Sequence, residues 1–388
     1  MAAIQAGHTF DGERLLDLTT VLIEDGHIVD VDTSGAPPPD GATLVKFGAE
    51  TCLLPGLIDA HVHLAFHATA DLVEPLARAD DDALLSHMRS AAVQALRAGV
   101  TTVRDLGDRG YLSLALRERG PSAALPQIVA AGPPITTTSG HCHFLGGEAE
   151  GEVALRAAVR DRADRGCDVV KVMVSGGNIT PGSQPYESQY DLDAMRAVVD
   201  EAHRVGLPTA AHVHGAKSVA DAVEAGFDTL EHVTFMTASG VDADPAIFDR
   251  IAARGVVVSV TPGSVPGASA PPPAIAQRLT AILDNHGHMW RAGATIIPGS
   301  DAGVSPGKPH DVLPYALEAL VDGIGMTPDE ALRASTSIAA TALGFGASKG
   351  RIAAGADADL LVVRGNPLVD MAAVRSVEAV YRAGVRVP

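Results

Sequence analysis

Cysteine is scarce in this chain: three in 388 residues, at Cys52, Cys142 and Cys167. They are too few and too scattered for a disulfide framework. Cys142 stands between His141 and His143, yet its simplest reading is a small residue in a loop. Long apolar runs are also missing, since Gly, Pro or charge interrupts each before it reaches the length of a membrane span. The start, Met1 to Gly12, lacks the basic opening and apolar core of a secretory signal, so a cytoplasmic protein is expected. Positive charge is in deficit, with 29 Lys and Arg against 47 Asp and Glu and a net charge of −18. Nucleic acid and anionic membrane surfaces would be repelled at long range. Lysine is the rarer base, confined to positions 46, 171, 217, 308 and 349.

What is present is a large apolar share, 46% of residues, and a length that accommodates one barrel domain of about 250 residues plus a smaller unit. Both ends read as β-structure. Residues 20–29 look like a hairpin turning at Glu24-Asp25-Gly26, and residues 359–363 and 380–384 form similar short runs. Chain termini often lie close together, so these ends are expected to pair into one small sheet domain. Between them, near-continuous apolar runs at 53–59, 100–104, 127–131, 168–174, 208–211, 229–232, 256–260 and 295–298 alternate with helical patterns at 81–98, 152–165, 192–204, 218–225 and 245–254. Eight such strands predict a parallel (β/α)₈ barrel buried on both faces.

Active sites in such barrels lie at the C-terminal face, so the polar residues that end the strands carry the functional information. The first strand ends Asp59-Ala-His61-Val-His63. Residues i and i+2 of a strand share a face, which aims both imidazoles into the barrel mouth as half a metal site. Lys171 lies inside Val169-Val-Lys-Val-Met-Val174, where burial favours the neutral amine. A neutral amine can take up carbon dioxide as a carbamate, whose two oxygens can bridge two metals; a lysine reaching to solvent from the strand end is the plainer alternative. The fifth strand ends His212-Val-His214, the sixth Glu231-His232 and the eighth Gly299-Ser-Asp301. Buried carboxylates are rare unless paired or metal-bound. His61, His63, Lys171, His212, His232 and Asp301 together would complete a two-metal site. Two cations roughly 3.5–4 Å apart acidify a bridging water and polarise a scissile carbonyl; Asp301 would take the proton from that water and pass it to the leaving nitrogen.

These residues resemble the amidohydrolase superfamily, and within it the imidazolonepropionase-like and prolidase-like members with a carboxylated lysine. The resemblance rests on Leu54-Pro-Gly-Leu-Ile-Asp-Ala-His-Val-His63, Gly99-Val-Thr-Thr-Val-Arg-Asp-Leu-Gly107, Lys171-Val-Met-Val-Ser-Gly-Gly177, Ala211-His-Val-His-Gly215, Glu231-His232, Gly299-Ser-Asp301 and Gly355-Ala-Asp-Ala-Asp-Leu360. It implies a (β/α)₈ TIM barrel over residues 55–349 and a small β-sandwich from 1–54 and 350–388. It also implies two divalent metals, zinc by expectation. His61 and His63 would hold the more buried one with Asp301, His212 and His232 the more exposed one, and an N6-carboxylated Lys171 would bridge.

By the same resemblance His141, in Thr138-Ser-Gly-His-Cys-His-Phe144, and His214 would donate hydrogen bonds to the tetrahedral oxyanion. Relatives often follow the loop histidine with Gly-Asp, whereas Cys142-His143-Phe144 stands here and alters the pocket wall. The implied activity is hydrolysis of a C–N amide bond in a small molecule, a dipeptide or N-acyl amino acid first. A cyclic amide, carbamate or phosphotriester hydrolase and a non-catalytic metal-binding barrel are the alternatives. Mononuclear relatives do without the bridging lysine, so Lys171 discriminates against them. A homo-oligomer is also implied.

Several residues receive plainer readings. Arg104-Asp105 is taken as a structural ion pair, Gly176-Gly177 as a tight turn, and Gln189 as a loop cap. Cys167, His203, His286 and His288 are read as packing or surface residues on helices. His143 and Tyr190 are possible substrate contacts.

Overall fold

A computed structural model describes residues 1–17, 19–119, 124–268 and 273–388. Its centre is two parallel sheets. Leu57–Val62, Val100–Asp105 and Gln127–Ala130 form a three-stranded sheet, and Val170–Met173, Thr209–Gly215, Thr229–Met236, Val257–Val260 and Thr295–Pro298 form a five-stranded one. Strand neighbours follow chain order within each sheet, as expected of strands joined by helical crossovers. The sheets meet at both edges. At one seam Val62 bridges Ala302, with the Asp301 amide donating to the His61 carbonyl at 2.7 Å; at the other Ile135 bridges Val172. Nearly every strand residue is buried, which explains why these strands read as unbroken apolar runs rather than alternating ones.

The run expected as one strand at 53–59 is two strands with different destinations. Thr51–Pro55 pairs antiparallel with Leu360–Arg364 in a six-stranded terminal sheet, while Leu57–Val62 opens the parallel sheet. Pro55 has no amide hydrogen to extend the ladder. At Gly56 a β-carbon would lie 2.2 Å from the Thr101 hydroxyl oxygen, so glycine alone lets the chain pass so close to the neighbouring strand. The Gly56 amide donates to the Asp359 carbonyl and the next amide, Leu57, to Gly99, so the hydrogen bonding changes sheets within one residue.

Both termini are β-structure, as expected. Thr20–Glu24 and His27–Asp32 form the hairpin, turning through positive φ at Asp25 and Gly26 (48° and 85°), the conformation two-residue hairpin turns require. This hairpin belongs to a four-stranded sheet facing the six-stranded one. Ile4, Val21, Ile23 and Ile28 from the first sheet pack with Leu53, Leu360, Val362 and Tyr381 from the second in a core of its own. Beside it Lys349 donates to Asp357 and Asp359, both at 2.6 Å, and Arg382 pairs with Asp359 at 2.9 Å. Among the described residues, no helix is long and apolar enough to cross a membrane.

Leu53 is fully buried where the two terminal sheets meet. Leu53→Ala is expected to cost about 3 kcal/mol through lost burial and a residual cavity, read as a lower urea midpoint with an unchanged slope.

Candidate metal centre

The strand ends converge as expected. His61 and His63 bring their Nε2 atoms to 3.3 Å from each other, and Asp301 Oδ1 lies 3.5 Å from both. The tautomers follow from the partners. His61 Nδ1 faces Glu231 Oε2 at 2.8 Å, and His63 Nδ1 faces the Gly107 carbonyl at 3.2 Å. Both partners accept, so each ring donates from Nδ1 and presents the lone pair of Nε2. Three electron-rich atoms therefore face one another, an arrangement that repels unless a cation sits among them. A tetrahedral ion bound at 2.0–2.1 Å has ligand-to-ligand edges of about 3.4 Å. The three donors fit that geometry.

A second triplet, His212, His214 and His232, also has the spacing to hold a metal ion. His212 Nε2 donates to the Gly176 carbonyl at 3.1 Å, leaving Nδ1 to face His232 Nε2 at 3.1 Å; His232 Nδ1 is engaged by the Thr261 hydroxyl at 2.9 Å. The Thr234 hydroxyl donates to the His214 carbonyl and lies 2.9 Å from His214 Nδ1. With its hydrogen so used, the hydroxyl accepts from Nδ1, and His214 presents the Nε2 lone pair. In that tautomer Nε2 can take a hydrogen bond or bind a metal ion. Its ring stacks on His232 with centroids 4.6 Å apart.

Lys171 lines the same cavity, fully buried, and its Nζ has no hydrogen-bond partner among the described residues. Burial lowers its pKa to about 8, against the pull of Glu231. Burial also pushes His61, His212 and His232 well below their usual range, with the lysine's charge adding to the effect at each. The imidazoles are thus neutral, the form that binds metal, and the lysine lies close enough to act on both groups. His141 is buried above this floor, its ring centroid 4.9 Å from that of His212, and burial holds it at about 3.

Beneath the donors lies a buried charge network. Arg104 donates to the Ala60 carbonyl (2.7 Å), Thr229 Oγ1 (3.1 Å) and Glu231 Oε1 (2.9 Å). Arg104 pairs with Glu231, not with the adjacent Asp105 as expected, because successive strand residues point to opposite faces. Asp105 instead accepts from Ser113 Oγ and the Gly107 and Leu64 amides.

Other plain readings also change. His286 lines the cavity and donates from Nε2 towards the carbonyls of His232 and Val233 at 2.9 and 3.2 Å. It thereby braces a strand end where His232, Val233 and Phe235 all hold positive φ, a conformation that costs of order 1–3 kcal/mol per residue. Gln189 ties the His141 amide to the Met173 carbonyl, both at 2.5 Å. Gly177 is required by close approach: a β-carbon would lie 2.3 Å from His141 Nε2. Tyr190 donates to the Ala149 carbonyl, and neither it nor His143 is among the described cavity-lining residues. Cys142 lines the cavity, and burial raises its thiol to about 12, so it stays protonated, consistent with a small loop residue.

The chain belongs to the amidohydrolase family, whose model matches residues 52–387. It is a hydrolase of carbon–nitrogen bonds, in a family that generally uses divalent metals. It is 28% identical to ochratoxinase of Aspergillus niger over 378 residues, 84% of this chain and 73% of that protein. It is 28% identical to imidazolonepropionase of Salinispora tropica over 377 residues, 88% and 85% of the two chains. The solved structure of a Xaa-Pro dipeptidase with methionine bound in its active site matches with a TM-score of 0.85 at 26% identity, covering 99% of both chains.

Arg104→Met would strand the Glu231 carboxylate in a fully buried position. The variant is expected to lose about 3–5 kcal/mol, and adding Glu231→Gln should recover part of it, a coupling measurable from urea midpoints of the two single variants and the double.

Proposed function

We propose that the chain is a binuclear metal amidohydrolase whose two parallel sheets, bridged at both seams, form one (β/α)₈ barrel. Residues 1–54 and 350–388 would make the accompanying β-sandwich. The observation that carries the reading is Lys171: a buried amine whose pKa burial lowers to about 8, with no hydrogen-bond partner among the described residues, beside two groups of metal-competent donors. His61 and His63 with Asp301 would hold one ion, His212 and His232 the other, and an N6-carboxylated Lys171 would bridge them. Zinc suits the imidazole-rich donor set.

Divalent metals held there would supply the acidification of a water and the polarisation of the scissile carbonyl. The rest belongs to the chain. Asp301, on a strand end with φ of 55°, takes the proton from the attacking water and delivers it to the leaving nitrogen, which turns a poor amide leaving group into an amine. Neutral His141 hydrogen-bonds the developing oxyanion. The Nε2 lone pair of His214 faces the same space, as a substrate acceptor or a third donor beside His212 and His232. A cavity of about 300 Å³ over these groups admits a small molecule. The substrate is thus a small amide, a dipeptide or N-acyl amino acid before a cyclic amide; the similarity to a Xaa-Pro dipeptidase supports the dipeptide.

Metal analysis of the purified protein and of Lys171→Ala tests the assignment. About two divalent ions per chain are expected, with fewer in the variant and amide hydrolysis there lower by about a hundredfold; one ion per chain, unaffected by the substitution, would refute the bridge. Prolonged chelation should lower the thermal midpoint of the wild type, because ions that bind only the folded state stabilise it, and the shift should be smaller in Lys171→Ala.

A further inference from the structure

Opposite the donor groups the cavity has a wall of another kind. Leu279, Ile282, Leu283 and His286 line it from the helix Leu279–Arg291. Their spacing of i, i+3, i+4 and i+7 puts them on one helical face. Ile179 and Val304 line the same cavity from loops after the fourth and eighth strands. Leu279, at the start of this stripe, is 40% exposed, whereas Ile282 is buried, so a large apolar side chain stands at the mouth of the cavity.

Charge is distributed the opposite way. Among the described lining residues the cations are Lys171 and Lys308 and the carboxylate is Asp301. Lys308 spends two protons on the carbonyls of Thr261 and Ser300, at 3.0 and 2.7 Å, which keeps it at the strand ends. Arg278, one residue before the helix, lies outside this lining and donates to the Gly240 carbonyl. A carboxylate laid against Ile282 and Leu283 would therefore shed water without an ion pair from the described lining residues on this side, whereas an aryl or branched alkyl group would bury apolar area.

We propose that the substrate is an amide with a bulky apolar group, aryl or branched alkyl, on the flank that meets Leu279, Ile282 and Leu283. This rests on the amide-hydrolase reading and narrows it. The donor groups hold the scissile bond, and the helix stripe selects what is attached to it.

Two secondary amides separate the possibilities: N-benzylbenzamide, apolar on both flanks, and N-acetylglycine, which has no apolar flank and carries a carboxylate. Calorimetric binding and hydrolysis of each are measured on the wild-type metalloprotein and on Leu279→Lys. Position 279 is exposed enough to accept lysine without disturbing the core. A distant exposed position, Val153→Lys, controls for general loss of hydrophobicity; Val153 is 84% exposed. N-benzylbenzamide should bind the wild type at least about tenfold more tightly than N-acetylglycine, the scale of a modest apolar contact. Leu279→Lys should erase most of that preference and Val153→Lys none of it. Equal or tighter binding of N-acetylglycine, or a preference indifferent to Leu279→Lys, would overturn the proposal whether or not either amide is cleaved. Selective binding of N-benzylbenzamide with no cleavage of any amide would instead count against the hydrolytic reading and leave the apolar flank standing.

Discussion

The centre depends on one buried contact, the carboxylate of Glu231 held between the Arg104 guanidinium and His61 Nδ1. Its two oxygens do different work. Oε1 neutralises a guanidinium that would be intolerable alone in the interior, and Oε2 fixes the proton of His61 on the nitrogen facing away from the donors. Three strands are tied by this group, the first through His61, the second through Arg104 and the sixth through Glu231 itself. Because Arg104 also reaches the Ala60 carbonyl, the backbone beside His61 and the ring of His61 answer to the same network. The lone pair presented at the centre is set two bonds away, by a charge outside the described cavity lining.

Much of this was legible from residue order. The pairs His61/His63 and His212/His214 announced a shared face through strand periodicity, and Lys171 stood out because lysine is so rare and its neighbours so apolar. All six candidate metal-binding residues converge on the same floor. What sequence could not show was pairing across strands. Arg104 beside Asp105 looks like an ion pair in the linear order, but neighbouring strand residues face apart, and the true partner lies 127 positions away. His286 was hidden for a related reason: on a helix it looks like any other buried ring, and its purpose appears only when the strained strand end at His232 lies opposite. The break at Gly56 was invisible to hydrophobicity, since both sides of it are equally apolar.

The two ends of the chain enter the chemistry indirectly. The strand Thr51–Pro55 runs from the terminal sheets into the strand bearing His61 with a single residue between, so the first donor strand is anchored by two cores rather than one. Asp59 belongs to this anchoring: its carboxylate accepts from the His61 and Ser300 amides and so aligns the first and eighth strands where their donors must meet.

The seventh strand, Val257–Val260, contributes none of the proposed metal donors, and the helix that follows it forms the apolar wall. That division of labour has an evolutionary consequence. Leu279, exposed at the start of the helix, can be changed with less disturbance of the core than the buried Ile282, while His286 further along braces His232. If the helix stripe selects the substrate, variation would concentrate at its exposed end, at a position separated from the donors, and the cavity's preference could change while its chemistry stayed the same.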